Sequence, residues 1–226
     1  VIVPLALLVA QIDDRMVDDH RVNTGQILQP PAGTLILPER PSDIVAVHNG
    51  RFFALKTHSK LHVLTSDGKR SLASHALAGG SGMTGLAWVP QRQELLVSTA
   101  GNDVLRFRWS EGRLSPTGKL TFPATRDRRA AYPAGISVDA QGERAYIALN
   151  RANQVAVVDL GTGETVKTFD TAPAPFGVAF DGVTLAVTCW GRWPRMGLPS
   201  ADSSGTPVQV QVTGASAGGT LVTWRG

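Results

Sequence analysis

The sequence predicts an all-β fold, a β-propeller of four-stranded blades, on three observations. The first is an internal repeat. Tyr132-Pro133-Ala134-Gly135-Ile136-Ser137-Val138-Asp139 returns as Ala174-Pro175-Phe176-Gly177-Val178-Ala179-Phe180-Asp181, at an offset of 177 − 135 = 42 residues. The second is the run of short apolar segments inside each copy, separated by Asp- and Gly-containing turns. The third is composition: 24 Gly and 14 Pro with only two Tyr and seven Phe suit a turn-dense β-fold. Four short strands with Gly-rich turns at a period near 42 describe a propeller blade.

Taken in order, the chain opens on ten apolar residues, 1–10, too few to span a bilayer. They read as the end of a signal-peptide core with cleavage after Ala10, which predicts an extracytoplasmic (periplasmic or secreted) protein. The competing reading, a buried first strand, is disfavoured by Pro4 and the lack of alternation. Residues 11–23 form a solvated lead-in. Its Asp13, Asp14, Asp18, Asp19 and His20 lack the tight Gly-containing loop that would hold a hard cation, so no metal is expected there.

Residues 24–226 are the propeller. A strand pair is expected over residues 24–37. Pro41-Ser42-Asp43-Ile44 then opens a blade with Asp43 at the position of Gly135, and Gly85 opens the next at 85 − 43 = 42. The following interval is longer, 135 − 85 = 50, and its eight extra residues fall near the charged loop of residues 124–130. After Asp139, strands are expected at 145–149, 154–160 and 164–169. The last repeat is interrupted by an insertion, residues 192–218, before residues 219–224 supply a third strand. Four repeats and a leading strand pair predict an incomplete ring of about five blades, cut short at both ends.

Net charge is +4 and the isoelectric point near 9.6, with the basic residues spread along the chain. No Lys/Arg run is interleaved with aromatics, which argues against a nucleic-acid groove. Cys189 is the single cysteine, so no intrachain disulfide can form.

Ala145-Tyr146-Ile147-Ala148-Leu149-Asn150, with Asn153-Gln154-Val155-Ala156-Val157-Val158-Asp159, resembles the YVTN β-propeller repeat of bacterial extracytoplasmic proteins. Trp190-Gly191-Arg192, then Ala201-Asp202-Ser203-Ser204-Gly205-Thr206, resembles the propeller half of fusion proteins in which an alkaline-phosphatase-like phosphoesterase domain follows the propeller. The resemblance runs from Thr24 onward and implies a phosphoesterase domain as partner. The sequence departs from the pattern in Cys189, read at the place of the repeat Asn, in the shortened Asp181-Gly182 turn, and in His58 and Ala100. The phosphoesterase's metal-binding residues and nucleophile have no counterparts here, so no catalytic residue and no cofactor is expected.

The candidate binding residues are Trp190, just before the insertion, Arg192, Trp193 and Arg195 in it, and His58 and Asn150 at a channel mouth. Aromatic and Arg side chains together in a long loop are what binding surfaces use, though Trp190 capping a blade and Arg192 bonding carbonyls fit as well. His58 and His62 are four apart but fall on different strands, which argues against a helical metal pair. Asp139, Asp159 and Asp181 read as turn residues. Ser203-Ser204-Gly205 lacks a nucleophile elbow. The function expected is a non-catalytic binding or docking module. The alternative is a propeller enzyme of the lactonase or quinoprotein-dehydrogenase class, acting at the channel.

Overall fold

The computed structural model describes residue 35 and residues 37–203 and 205–225. The apolar opening, the lead-in and nearly all of the expected leading strand pair lie outside these residues. Four blades follow one another. The first is β1 (Pro41–Val47), β2 (Phe52–Thr57), β3 (Lys60–Thr65) and β4 (Ser71–Ala76). The second is β5 (Ser81–Val89), β6 (Glu94–Thr99), β7 (Asp103–Ser110) and β8 (Arg113–Thr121), with a single 3-10 turn at Pro90–Arg92. The third is β9 (Pro133–Val138), β10 (Arg144–Leu149), β11 (Gln154–Asp159) and β12 (Thr165–Asp170). The fourth holds β13 (Pro175–Phe180), β14 (Thr184–Cys189) and β17 (Thr220–Arg225), while β15 (Ser200–Ser203) and β16 (Thr206–Gln209) form a separate hairpin inside the insertion. All pairings are antiparallel. The insertion thus carries a hairpin of its own, β15 paired with β16.

The period-2 alternation of each strand serves two cores at once. In β10, Ala145, Ile147 and Leu149 face the second blade, while Tyr146 faces the fourth. In β6, Leu95 and Val97 face the first blade and Leu96 faces the third. Three dry layers therefore hold four blades together. Each turn aspartate bonds its own backbone: Asp139 accepts from Glu143 and Arg144 N–H, Asp159 from Gly161 and Thr162, Asp181 from Val183 and Thr184. Those donors hold the Asp159 and Asp181 carboxyls below the usual carboxylate range.

The repeat positions meet across blades. A Cβ on Gly85 would lie 2.1 Å from the carbonyl oxygen of Ala134, and one on Gly135 2.4 Å from that of Phe176. In the first blade the same position is Asp43, whose carboxylate accepts from Thr84 Oγ1 and from the N–H groups of Gly85 and Leu86 at 2.7–3.0 Å. Innermost strands abut so closely that backbone touches backbone, and only glycine, or a side chain that caps the next strand, fits. β1 lies against β5, β5 against β9 and β9 against β13. No comparable approach joins β13 to β1 among the described residues, so the four blades form an arc.

Among the described residues β17 is paired on one side only, by β14. Its exposed side chains include Leu221, 66% accessible. Such an edge is a template for pairing between molecules. We expect concentration-dependent association by light scattering. Leu221→Lys should reduce it while changing stability by less than about 0.5 kcal/mol.

Candidate functional site

Antiparallel blades place their connections alternately on the two ring faces. The turns after second strands, the links between blades and the insertion all fall on one face. That face carries all six sequence candidates. It also carries a groove of about 630 Å³. One wall is the loop after β8, another the turn between β10 and β11, and the third the insertion hairpin.

The loop after β8 is an excursion from an otherwise repeated connection. Asn153 Oδ1 accepts from Ala174 N–H just before the fourth blade, and Asn102 Oδ1 accepts from Ala131 N–H just before the third. The sequence separations, 21 and 29, show that the link before the third blade is the longer, where the spacing placed the extra residues. The excursion is tightly bonded within itself: Thr125 N–H donates to the Arg129 carbonyl, Arg128 N–H to the Thr125 carbonyl, and the Thr125 hydroxyl to Asp127. Asp127 also holds the Arg129 guanidinium, and together Arg129 and Thr125 keep its carboxyl down at about 2. Arg129 Nη2 donates across to the Gly205 carbonyl at 2.5 Å, tying the excursion to the hairpin.

The hairpin is seated by Val208, Thr206 and Gln209, all buried. Gln209 N–H donates to the Arg192 carbonyl, and its side-chain oxygen accepts from Arg195 N–H. Trp193 stands at the groove wall, 51% exposed. Opposite, Arg151 projects from the turn between β10 and β11 and lies over the Tyr132 ring, 5.1 Å from its centroid. The Arg151 Nε is buried without a hydrogen-bond partner. Tyr132 sits at φ +54°, in the left-handed region, held by bonds from its N–H to Gly101 and from Asn150 N–H to its carbonyl.

The sequence candidates separate. Trp193 lines the groove. Trp190 does not; it stacks on Phe176 with centroids 4.3 Å apart. Arg192 closes the base of the insertion, its Nε donating to the Gly219 carbonyl at 3.4 Å. Arg195 is exposed near the same base. Asn150 is buried and donates from Nδ2 to the Pro175 carbonyl, 3.0 Å away in the fourth blade. His58 lies on the same face between the first two blades, where its carbonyl accepts from Ser81 N–H. One alignment needs correction. Asn150 N–H bonds to Tyr132 and Trp190 N–H to Ala174, so Trp190, not Cys189, stands at the Asn position; the turn after Asp181 shortens the repeat offset from 42 to 40 residues. Arg126, Arg129, Arg151, Gln154 and Asp170 give no site signal in the sequence. The Arg126–Arg129 run reads there only as a charged loop, and nothing relates it to a hairpin 76 residues on.

A second cleft, about 480 Å³, opens between β12 and β17, lined by Tyr146, Phe169, Phe180 and Trp224 with Arg144 and Lys167 at its rim. Among the described residues, no group of three or more His, Cys, Asp or Glu is placed to hold a metal ion, and no helix is long and apolar enough to cross a membrane.

No protein-family model and no curated protein matches the sequence. Solved propellers do. The Cps50 (Swd1) β-propeller domain of Myceliophteria thermophila aligns over 66% of this protein and 50% of its own length, at 17% identity and a TM-score of 0.55. A functionally unknown protein from Desulfotomaculum acetoxidans aligns over 76% and 55%, at 17% identity and 0.57. Kuenenia stuttgartiensis hydrazine synthase aligns over 86% and 53%, again at 17% identity and 0.57. The present protein spans about half the length of these solved structures. At such identities the likeness is one of fold: the protein is an all-β propeller arc.

Proposed function

We propose that the protein is a non-catalytic, extracytoplasmic propeller module of the YVTN type that docks a partner on the face carrying the insertion. The partner proposed is an alkaline-phosphatase-like phosphoesterase domain. The observation that carries the docking reading is the groove itself: a half-exposed Trp193 in the insertion, beside a hairpin that buried residues and the Arg129–Gly205 bond hold in place. A rigid aromatic beside Arg side chains is the composition of a binding hot spot. The repeat resemblance around Tyr146 and the Trp190-Gly191-Arg192 and Ala201–Thr206 segments support the phosphoesterase pairing, and the apolar opening supports the location.

Replacing residues 192–218 by a short Gly-Ser link, and separately Trp193→Ala, tests it. Both should weaken binding of a purified phosphoesterase domain by about tenfold or more, with β-sheet circular dichroism retained. Unchanged affinity in both would place the contact elsewhere. The protein alone should hydrolyse p-nitrophenyl phosphate and simple lactones only at background rates. Turnover abolished by His58→Ala would replace the docking reading with an enzymatic one.

A further inference from the structure

Among the described residues, the groove contains a cation, Arg151, that the fold does not use. Arg129 is committed to Asp127 and to the Gly205 carbonyl. Arg151 is not: among the described residues its guanidinium meets neither a carboxylate nor a carbonyl, and its Nε is buried and unbonded. A buried, unpaired N–H costs about 1–3 kcal/mol, so a donor placed like this one calls for an acceptor from a ligand or from solvent. The Tyr132 ring, its centroid 5.1 Å from the guanidinium carbon, holds the side chain at this wall through a cation–π contact. No N–H of the fork is taken by an acceptor among the described residues, so its donors are free for a carboxylate, the group a guanidinium fork matches.

The rest of the groove narrows the ligand further. Arg126 is exposed at the same wall with no carboxylate partner among the described residues. Trp193, Pro123 and Pro207 offer apolar surface beside the cations. Asp170 is also present, with one oxygen taken by Gln154 Nε2 at 2.9 Å, so its second oxygen is open to an N–H donor. A bare phosphate or sulfate would gain from the arginines and be repelled by Asp170. A peptide carries both an acidic group for Arg151 and backbone N–H groups for Asp170.

Resting on the docking reading above, we propose that the groove recognises an acidic peptide segment of a protein partner, its carboxylate on Arg151 and a neighbouring apolar side chain against Trp193. The carboxylate is that of Asp, of Glu or of a free peptide terminus.

A displayed library of random short peptides, selected on the protein and counter-selected on Trp193→Ala, tests this. The expected binders carry an acidic residue or a free terminal carboxylate next to an apolar residue. Arg151→Gln should weaken them by about tenfold or more, with thermal unfolding nearly unchanged. Glutarate alone should compete only weakly. Binders that depend on Trp193 but carry no carboxylate, or that Arg151→Gln does not weaken, would overturn the ligand class and leave the groove as a docking site. Glutarate binding as tightly as the peptides would show a small-carboxylate site instead. Absence of any Trp193-dependent binder would overturn both this inference and the docking reading.

Discussion

Gly85→Ala should be strongly damaging for a single added methyl, lowering stability by about 3–5 kcal/mol. Two costs combine there. Its φ of +104° is one that L side chains rarely adopt, and the added Cβ would lie 2.1 Å from the Ala134 carbonyl and 2.3 Å from Ser98 Oγ. The carbonyl belongs to the innermost strand of the next blade, so relief requires prising the second and third blades apart. Gly112 supplies the control: it has φ +73° but open space around it. Gly112→Ala should cost only about 1–2 kcal/mol, the backbone share alone. For a protein of this size the contrast is a melting-point difference of roughly 5–10 °C, read by calorimetry. Equal shifts in the two variants would show that the close approach between blades contributes nothing.

Lys56→Ala is the second large effect expected. Lys56 is fully buried between the first and second blades, and its Nζ donates to the Thr84 carbonyl at 2.8 Å and to Ser98 Oγ at 2.9 Å. The irregular pairing of β5 with β6 between Ser81 and Leu86 is what presents that carbonyl. Truncation leaves a cavity and should cost about 3–5 kcal/mol. Lys56→Met should cost far less, because Asp43 keeps its three donors and Thr84 keeps the Ser98 hydroxyl.

Burial lowers the Lys56 ammonium to about 8, an effect partly offset by Asp43. Between that value and the ordinary lysine range the unfolded state holds more protons than the folded one. Stability therefore rises with pH in this window, and the destabilisation is complete below it. From pH 7 to pH 9 the gain should be about 1 kcal/mol by chemical denaturation, and absent in Lys56→Met. Above pH 9 the buried Cys189 thiol and Tyr146, whose values burial raises, titrate in the opposite sense and mask it.

Much of this architecture was legible because blade strands are short, alternate with period two, and are joined by turns with strong residue preferences. Asp139, Asp159 and Asp181 announced their turns, and the glycine spacing registered the blades because those glycines sit where innermost strands touch. Asp43 took the glycine's place visibly, though its role as a carboxylate cap on Gly85 and Leu86 needed coordinates. The site was half legible. Trp193 was recognisable as an exposed aromatic in a loop the repeat does not require. Trp190, Arg192 and Asn150 looked equivalent to it in sequence, yet they stack on Phe176, bond Gly219 and bond Pro175. Arg151 gave no signal, because an arginine in a turn is ordinary until its donors are seen to lack acceptors. The juxtaposition of residues 124–130 with the hairpin is a long-range product of the ring, and no local pattern encodes it.

Partner contact at the groove beneath the insertion is directly measurable through the five tryptophans. Trp193 reports the groove and Trp224 the cleft between β12 and β17, while Trp88 and Trp109 are buried in the layer between the first two blades. Fluorine NMR of 5-fluorotryptophan-labelled protein, titrated with a phosphoesterase domain or a selected acidic peptide, should move the Trp193 resonance saturably and leave Trp88, Trp109 and Trp224 in place. A saturable shift of Trp224 with Trp193 unmoved would contradict docking at the groove and assign the contact to the other cleft.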